Sequence, residues 1–165
     1  MDKKDCSFSN CSIRFRYKVI GIIIEEDCLL LATTKKINFY YYVGGGVHLG
    51  ESSEDAVKRE VFEETGQSYD ISRLLCIVEN FFHDPKIPGG GKLPRHEICL
   101  CYLMQSKGKK FTPDSSKSGV KGEIMEWVPI SDLGKITLKP LPLLEIIPKI
   151  PEWVSENDIK HIVFN

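Results

Sequence analysis

The chain predicts an α/β (α+β) fold, and three observations carry that expectation. A run from Cys11 to Glu25 begins with strict alternation and ends continuously apolar, as a strand entering a core does. Between Ser52 and Gly66 the spacing turns helical, with a cap at each end. Further apolar runs rich in aromatic and branched residues are punctuated by glycine and proline, the pattern of strands joined by turns.

In the first run Ile13, Phe15, Tyr17 and Val19 interleave with Arg14, Arg16 and Lys18 before the apolar segment Ile20 to Ile24, so one long strand is expected. Glu26-Asp27 turns the chain into a second strand, Cys28 to Ala32. Phe39 to Tyr42 is a third, and Val43-Gly44-Gly45-Gly46 after it marks a turn where backbone approaches a ligand or metal. Later strand candidates are Leu74 to Phe82, Ile98 to Met104 and Ile124 to Val128. A short helix is expected over Leu143 to Ile147, bounded by Pro140, Pro142 and Pro148, with Leu143 and Ile147 facing the core.

Helix signals around the glycine turn are specific. Ser52 is a good N-cap with Asp55 three residues on, Glu54 and Asp55 put acid in the first turn, and Gly66 is a natural stop. Glu60, Glu63 and Glu64 then project from one side, at i, i+3 and i+4. A solvated acidic face would lie opposite Val57 and Val61, yet Glu60 and Glu64 fall between Ala56 and those valines. Carboxylates at the edge of a core are costly unless they ligate a cation, and oxygen donors without His or Cys favour a hard ion, Mg²⁺ or Mn²⁺.

Composition narrows the partners. With 165 residues and 42% hydrophobic content, the chain is expected to form a single domain over residues 1–165. A net charge of −1 supplies no field for nucleic acid or membrane, and a small-molecule substrate is expected. No segment has the length of a membrane span and Met-Asp-Lys-Lys-Asp lacks the apolar core of a signal peptide, so a cytoplasmic location is expected. The six cysteines show no metal-ligand spacing, and Cys99 and Cys101 read as small buried hydrophobes on one strand face. Lys107 to Lys110 and the stretch Lys86 to Arg95 are locally basic; solvated loops account for them, as does attraction of a polyphosphate.

Gly45, Glu51, Arg59-Glu60-Val61, Glu63-Glu64 and Gly66 together have the spacing glycine, five residues, Glu, seven residues, Arg-Glu-aliphatic, one residue, Glu-Glu, one residue, glycine. This resembles the Nudix box, strictly over residues 45 to 66. Gln67 stands where an aliphatic residue usually closes the box, and Val43 replaces a frequent proline. The resemblance implies an α/β/α sandwich around a mixed sheet, with the box as a loop-helix-loop that binds divalent metal. It makes Glu60 and Glu64 the first metal-ligand candidates, Glu63 the next, and the Gly45 carbonyl a further one. Glu51 and Arg59 resemble the pair that braces the loop; Arg59, read as a planar fork, suits phosphate oxygens as well.

The implied activity is divalent-metal-dependent hydrolysis of a phosphoanhydride in a nucleoside diphosphate linked to another group: a nucleoside triphosphate, an oxidised nucleotide, or a nucleotide sugar such as ADP-ribose. The alternative is a catalytically silent ligand sensor or scaffold of the same fold. The base that deprotonates water is Glu63 or a carboxylate from a later loop, with Glu123 preferred and Glu126, expected to be exposed, as fallback. The expected partner is a nucleotide, and a homodimer is left open. Other ligand-facing candidates are His48, His96, Glu97, the aromatics Phe81, Phe82 and Tyr40 to Tyr42, and a mobile loop from His83 to Arg95, although lone histidines and strand aromatics are more often structural and plain disorder explains that loop equally well.

Overall fold

In the computed structural model, which describes residues 4–83, 93–114, 118–139, 142–156 and 158–164, the strands form two mixed sheets. In the first, β1 (Ser7–Ser9), β2 (Arg14–Ile22), β7 (Arg95–Met104), β6 (Ile71–Phe82) and β10 (Lys160–Phe164) lie side by side in that order. β2 and β7 run parallel, as do β6 and β10, while β6 and β7 are antiparallel. In the second, β4 (Cys28–Thr34) pairs antiparallel with β3 (Ile24–Glu25), β5 (Tyr40–Tyr42) and β8 (Glu123–Pro129), and β9 (Leu138–Lys139) runs parallel to β5.

The single long strand expected from Cys11 to Glu25 is divided: β2 stays in the first sheet and β3 enters the second. Glu26 and Asp27 take positive φ of 49° and 55°, the backbone of a tight hairpin, so the chain must join β4 at once. The unbroken apolar run records burial on both faces. Val19 and Ile23 pack with α1 (Ser53–Thr65), whereas Ile20 and Ile22 pack with Leu143, Ile147 and Ile150 on the other side. Helical layers on both sides of the sheets give the sandwich.

α1 begins and ends where expected. The Ser52 hydroxyl accepts the Asp55 N–H at 3.1 Å, and Gly66 stops the helix at φ 72° with its N–H on the Phe62 carbonyl. At the C-terminal side, α2 (Pro142–Ile146) leads through a 3₁₀ turn, Ile147–Lys149, into α3 (Ile150–Glu156). Leu143 and Ile147 are buried as expected, but the chain stays helical past Pro148, because a proline in the first turn of a new helical segment loses no hydrogen bond. Cys99 and Cys101 are buried thiols. No helix among the described residues is long and apolar enough to cross a membrane. Residues 84–92 of the loop expected to be mobile lie outside the described residues.

One buried acid ties the two sheets together. Glu25, 1% exposed, accepts the Lys107 N–H at 2.7 Å and the Tyr69 hydroxyl at 3.0 Å on Oε1, and the Ser106 hydroxyl at 2.6 Å and the Gly108 N–H at 2.9 Å on Oε2. Burial alone raises its pKa, but these four bonds outweigh burial and hold it below the ordinary carboxylate value. Its stabilisation is therefore present above the unfolded-state pKa and lost as pH falls through the lowered folded value. Glu25→Ala removes four hydrogen bonds, leaves the Lys107 N–H without its acceptor, and is expected to cost about 2–4 kcal/mol in urea denaturation at neutral pH. Below pH ~4.5 the gap between wild type and variant should narrow; a gap independent of pH contradicts the assignment.

Candidate active site

The glycine turn is zipped onto β2. Gly21 donates to the Val43 carbonyl and Val19 to the Gly45 carbonyl, both at 2.9 Å, and Val47 donates to Tyr17 at 3.1 Å. The Gly45 carbonyl, a ligand candidate from the sequence, is thus already an acceptor in this ladder. What Gly45 contributes is the absence of a side chain: a Cβ there would lie 2.6 Å from the Glu60 carboxylate.

Arg59 holds the loop to the helix with five hydrogen bonds. Its Nε and Nη2 grip Glu51 as a fork at 2.8 and 2.9 Å, Nη2 also reaches the Gly46 carbonyl at 2.9 Å, and Nη1 reaches Glu60 at 2.7 Å and Glu63 at 3.1 Å. The Arg59 hydrogen bonds, joined by the His48 N–H, lower the Glu51 pKa to about 2. Glu51 and Arg59, named from the sequence as a bracing pair, thus meet in a two-pronged ion pair. The fork is turned toward carboxylates and loop backbone.

Glu64 is 7% exposed, and its Oε2 accepts the Gly44 N–H at 3.0 Å. Burial, and then the neighbouring Glu123, push its pKa well above the ordinary value. Burial also raises Glu60, against the pull of Arg59. Glu123 arrives from the first position of β8, is itself 7% exposed, and accepts the Tyr41 hydroxyl at 2.5 Å. Glu126 is exposed, as expected, and accepts from Tyr40 at 2.7 Å. Glu63 lies at the rim.

Among the described residues no three acids, histidines or cysteines converge closely enough to hold an ion, because Arg59 draws Glu60 and Glu63 toward itself and Gly44 holds Glu64. The donor chemistry nevertheless fits a hard divalent cation. Glu60 and Glu64 are carboxylates whose charged form burial disfavours, and a cation beside them removes that penalty.

Gly44 and Tyr41 also border a cleft of about 450 Å³ between the two sheets. Its wall carries Arg16 and Lys18 from β2, Asn80 and Phe82 from β6, and Arg95 and Glu97 from β7. Sequence reasoning named Arg95 in a basic stretch able to attract a polyphosphate but gave Arg16 and Lys18 no ligand-facing role, reading them only as the polar half of an alternating strand. The missing signal is the parallel β2–β7 register, which sets Arg16 opposite Glu97. Of the aromatics, Phe82, Tyr41 and Tyr42 line the cleft, whereas Phe81 stacks on His96 with centroids 4.2 Å apart. His96 therefore packs within its sheet, and His48 sits between Asp5 and Glu51 at 3.8 and 3.5 Å. Lys107 lies over the Tyr69 ring and Lys110 pairs with Glu26, so neither lines the cleft.

The family model for the NUDIX domain matches residues 14–154. Among solved structures, the MutT protein from Methanosarcina mazei Go1 is similar at TM-score 0.61 and 17% identity, over 91% of this chain and 99% of that one. A UDP-X diphosphatase is similar at TM-score 0.58 and 15% identity, over 94% of this chain and 69% of that one. An ADP-ribose pyrophosphatase from Streptococcus suis 89-1591 is similar at TM-score 0.55 and 18% identity, over 91% and 98%. No curated protein matches. At these identities the structures speak for the fold alone, but the domain match spans most of the sequence: the chain belongs to the Nudix family.

Proposed function

We propose that this protein hydrolyses a phosphoanhydride bond in a nucleoside diphosphate linked to another group, using Mg²⁺ or Mn²⁺ held by Glu60, Glu63 and Glu64. The observation that carries the reading is the meeting of Glu64 and Glu123, both buried, beside the mouth of a cleft lined by cations and aromatic rings. When bound, the cation neutralises phosphate oxygens and acidifies the attacking water. Arg59 and Glu51 hold the glycine loop at the distance where Gly45 admits the Glu60 carboxylate. Glu123 takes the proton from water: it is fixed by Tyr41 and comes from a separate strand, whereas Glu63 is engaged by Arg59.

Substrates consistent with the cleft are a nucleoside triphosphate, an oxidised nucleotide or a nucleotide sugar such as ADP-ribose. A silent sensor or scaffold would be expected to have lost a carboxylate, and Glu51, Glu60, Glu63 and Glu64 are all in place. Release of nucleoside monophosphate from a nucleotide panel, with and without Mg²⁺, tests the reading.

Glu64→Gln is expected to fold normally and to lower turnover by about 10²-fold or more in Mg²⁺. Near-normal turnover in that variant contradicts the ligand assignment. Glu123→Gln is expected to reduce kcat by about 10²-fold with little change in the Mg²⁺ concentration required, whereas Glu63→Gln should alter both. A Glu123→Gln protein that works at close to the wild-type rate across the alkaline range removes Glu123 as base.

A further inference from the structure

One row of side chains crosses the first sheet on the face that lines the cleft. The registers pair Arg16 of β2 with Glu97 of β7, Glu97 with Asn80 of β6, and Asn80 with Phe164 of β10, and all four residues line the cleft. Strands lie about 4.8 Å apart, so Asn80 stands roughly 10 Å and Phe164 roughly 14 Å from the β2 end of the row. β2 is the strand zipped to the glycine turn, with Val19 on the Gly45 carbonyl. The row therefore leads away from the carboxylates of the helix toward an amide and a ring, over the span a nucleoside covers from its phosphate to its far edge.

Asn80 is 6% exposed, and among the described residues its side-chain amide makes no hydrogen bond. A buried amide so placed costs free energy until a ligand supplies a donor and an acceptor. Phe164 is 37% exposed, and among the described residues its ring stacks on no other. β10, which carries it, lies beyond residues 14–154 of the domain match. Three contacts hold the strand: Ile162 packs against the core, His161 meets Glu79 at 2.8 Å, and the Arg73 guanidinium donates to the Asp158 carbonyl at 2.7 Å just before it. The far end of the cleft is thus completed by a segment that the match does not include.

We propose that Asn80 and Phe164 form the nucleobase subsite: the base lies flat against Phe164 with its edge on the Asn80 amide, while its phosphates face the β2 end. The inference rests on the hydrolase reading and adds to it the residues that choose the base. A primary amide presents a donor beside an acceptor, the complement of a base edge that carries an acceptor beside a donor. A sugar offers hydroxyls to Asn80 but no aromatic face to Phe164. Stacking tolerates every base, so Phe164 supplies affinity and Asn80 selects.

Probes with and without a base test this. Binding of AMP, GMP, CMP and UMP is compared with that of ribose 5-phosphate by calorimetry in Ca²⁺, and kcat and KM are measured in Mg²⁺ on the matching nucleoside triphosphates, ADP-ribose and UDP-glucose. At least one base is expected to tighten binding about tenfold or more over ribose 5-phosphate. Phe164→Ala should cut that gain about fivefold or more for each base that shows it and leave ribose 5-phosphate unchanged, whereas Phe164→Tyr, which keeps the ring, should preserve it. Asn80→Ser should instead narrow the spread among the four bases, an effect that a merely structural role would not produce. In turnover both Phe164→Ala and Asn80→Ser should act on KM more than on kcat. No gain from any base, or a gain and a rank order that survive both substitutions in folded protein, overturns the proposal. Base-dependent binding that the two substitutions remove, without release of nucleoside monophosphate from any substrate, keeps the subsite and removes the hydrolase reading; turnover with KM indifferent to the base and to both substitutions does the reverse.

Discussion

The site depends on the compensation of crowded carboxylates by one guanidinium. Glu51, Glu60, Glu63 and the Gly46 carbonyl all converge on Arg59, so the glycine loop and the helix are fixed to each other through a single side chain. Without that cation the helix would present like charges to one another beside a hydrophobic cluster of Val57, Val61 and Val43. Arg59 serves Glu60 and Glu63 but not Glu64, whose Oε2 is held by a backbone amide and whose carboxylate lies beside Glu123. Glu64, whose charged form burial disfavours, is therefore placed next to Gly44, where the fold opens onto the cleft.

The second constraint is the division of the N-terminal apolar run between two sheets. β2 packs its alternate residues on α1 and on the C-terminal helices, and its polar half, Arg16 and Lys18, is left beside Glu97 on β7. The sheet switch at Ile23 brings β4, β5 and β8 across from these cations, and so delivers Tyr41 to the cleft with Glu123 hydrogen-bonded to its hydroxyl. The buried carboxylates and the cleft wall opposite them thus follow from one chain reversal at Glu26-Asp27.

Local features were legible and long-range ones were not. Ser52, Gly66 and the spacing of Glu60, Glu63 and Glu64 state a helix, its limits and its charged edge without reference to anything distant. Glu123 was reachable only through the family resemblance, because nothing in its own surroundings shows that β8 begins opposite Thr34. The short strands β1, β9 and β10 were missed, since two to five residues at sheet edges carry too little apolar alternation to register. Arg95 and Glu97 were placed in a loop or at a strand start, yet both are buried in β7; their charges become intelligible only when the parallel pairing with β2 is known. At Gly45 the sequence marked a close approach, and the structure shows its physical reason: a Cβ there would meet the Glu60 carboxylate, while the carbonyl accepts one hydrogen bond from Val19 and keeps a second lone pair.

The central claim is that this fold holds Glu60 and Glu64 in a state that a divalent cation relieves. Thermal melting at neutral pH, in EDTA and across a Mg²⁺ titration, tests it directly on the wild type and on the Glu60→Gln, Glu64→Gln double variant. The account predicts a saturable rise in Tm with Mg²⁺ for the wild type, because binding to the folded state alone stabilises it. It also predicts no such rise in the double variant, whose Tm in EDTA should equal or exceed that of the wild type. A wild-type Tm indifferent to Mg²⁺, or a double variant that melts well below the wild type in EDTA, would contradict it.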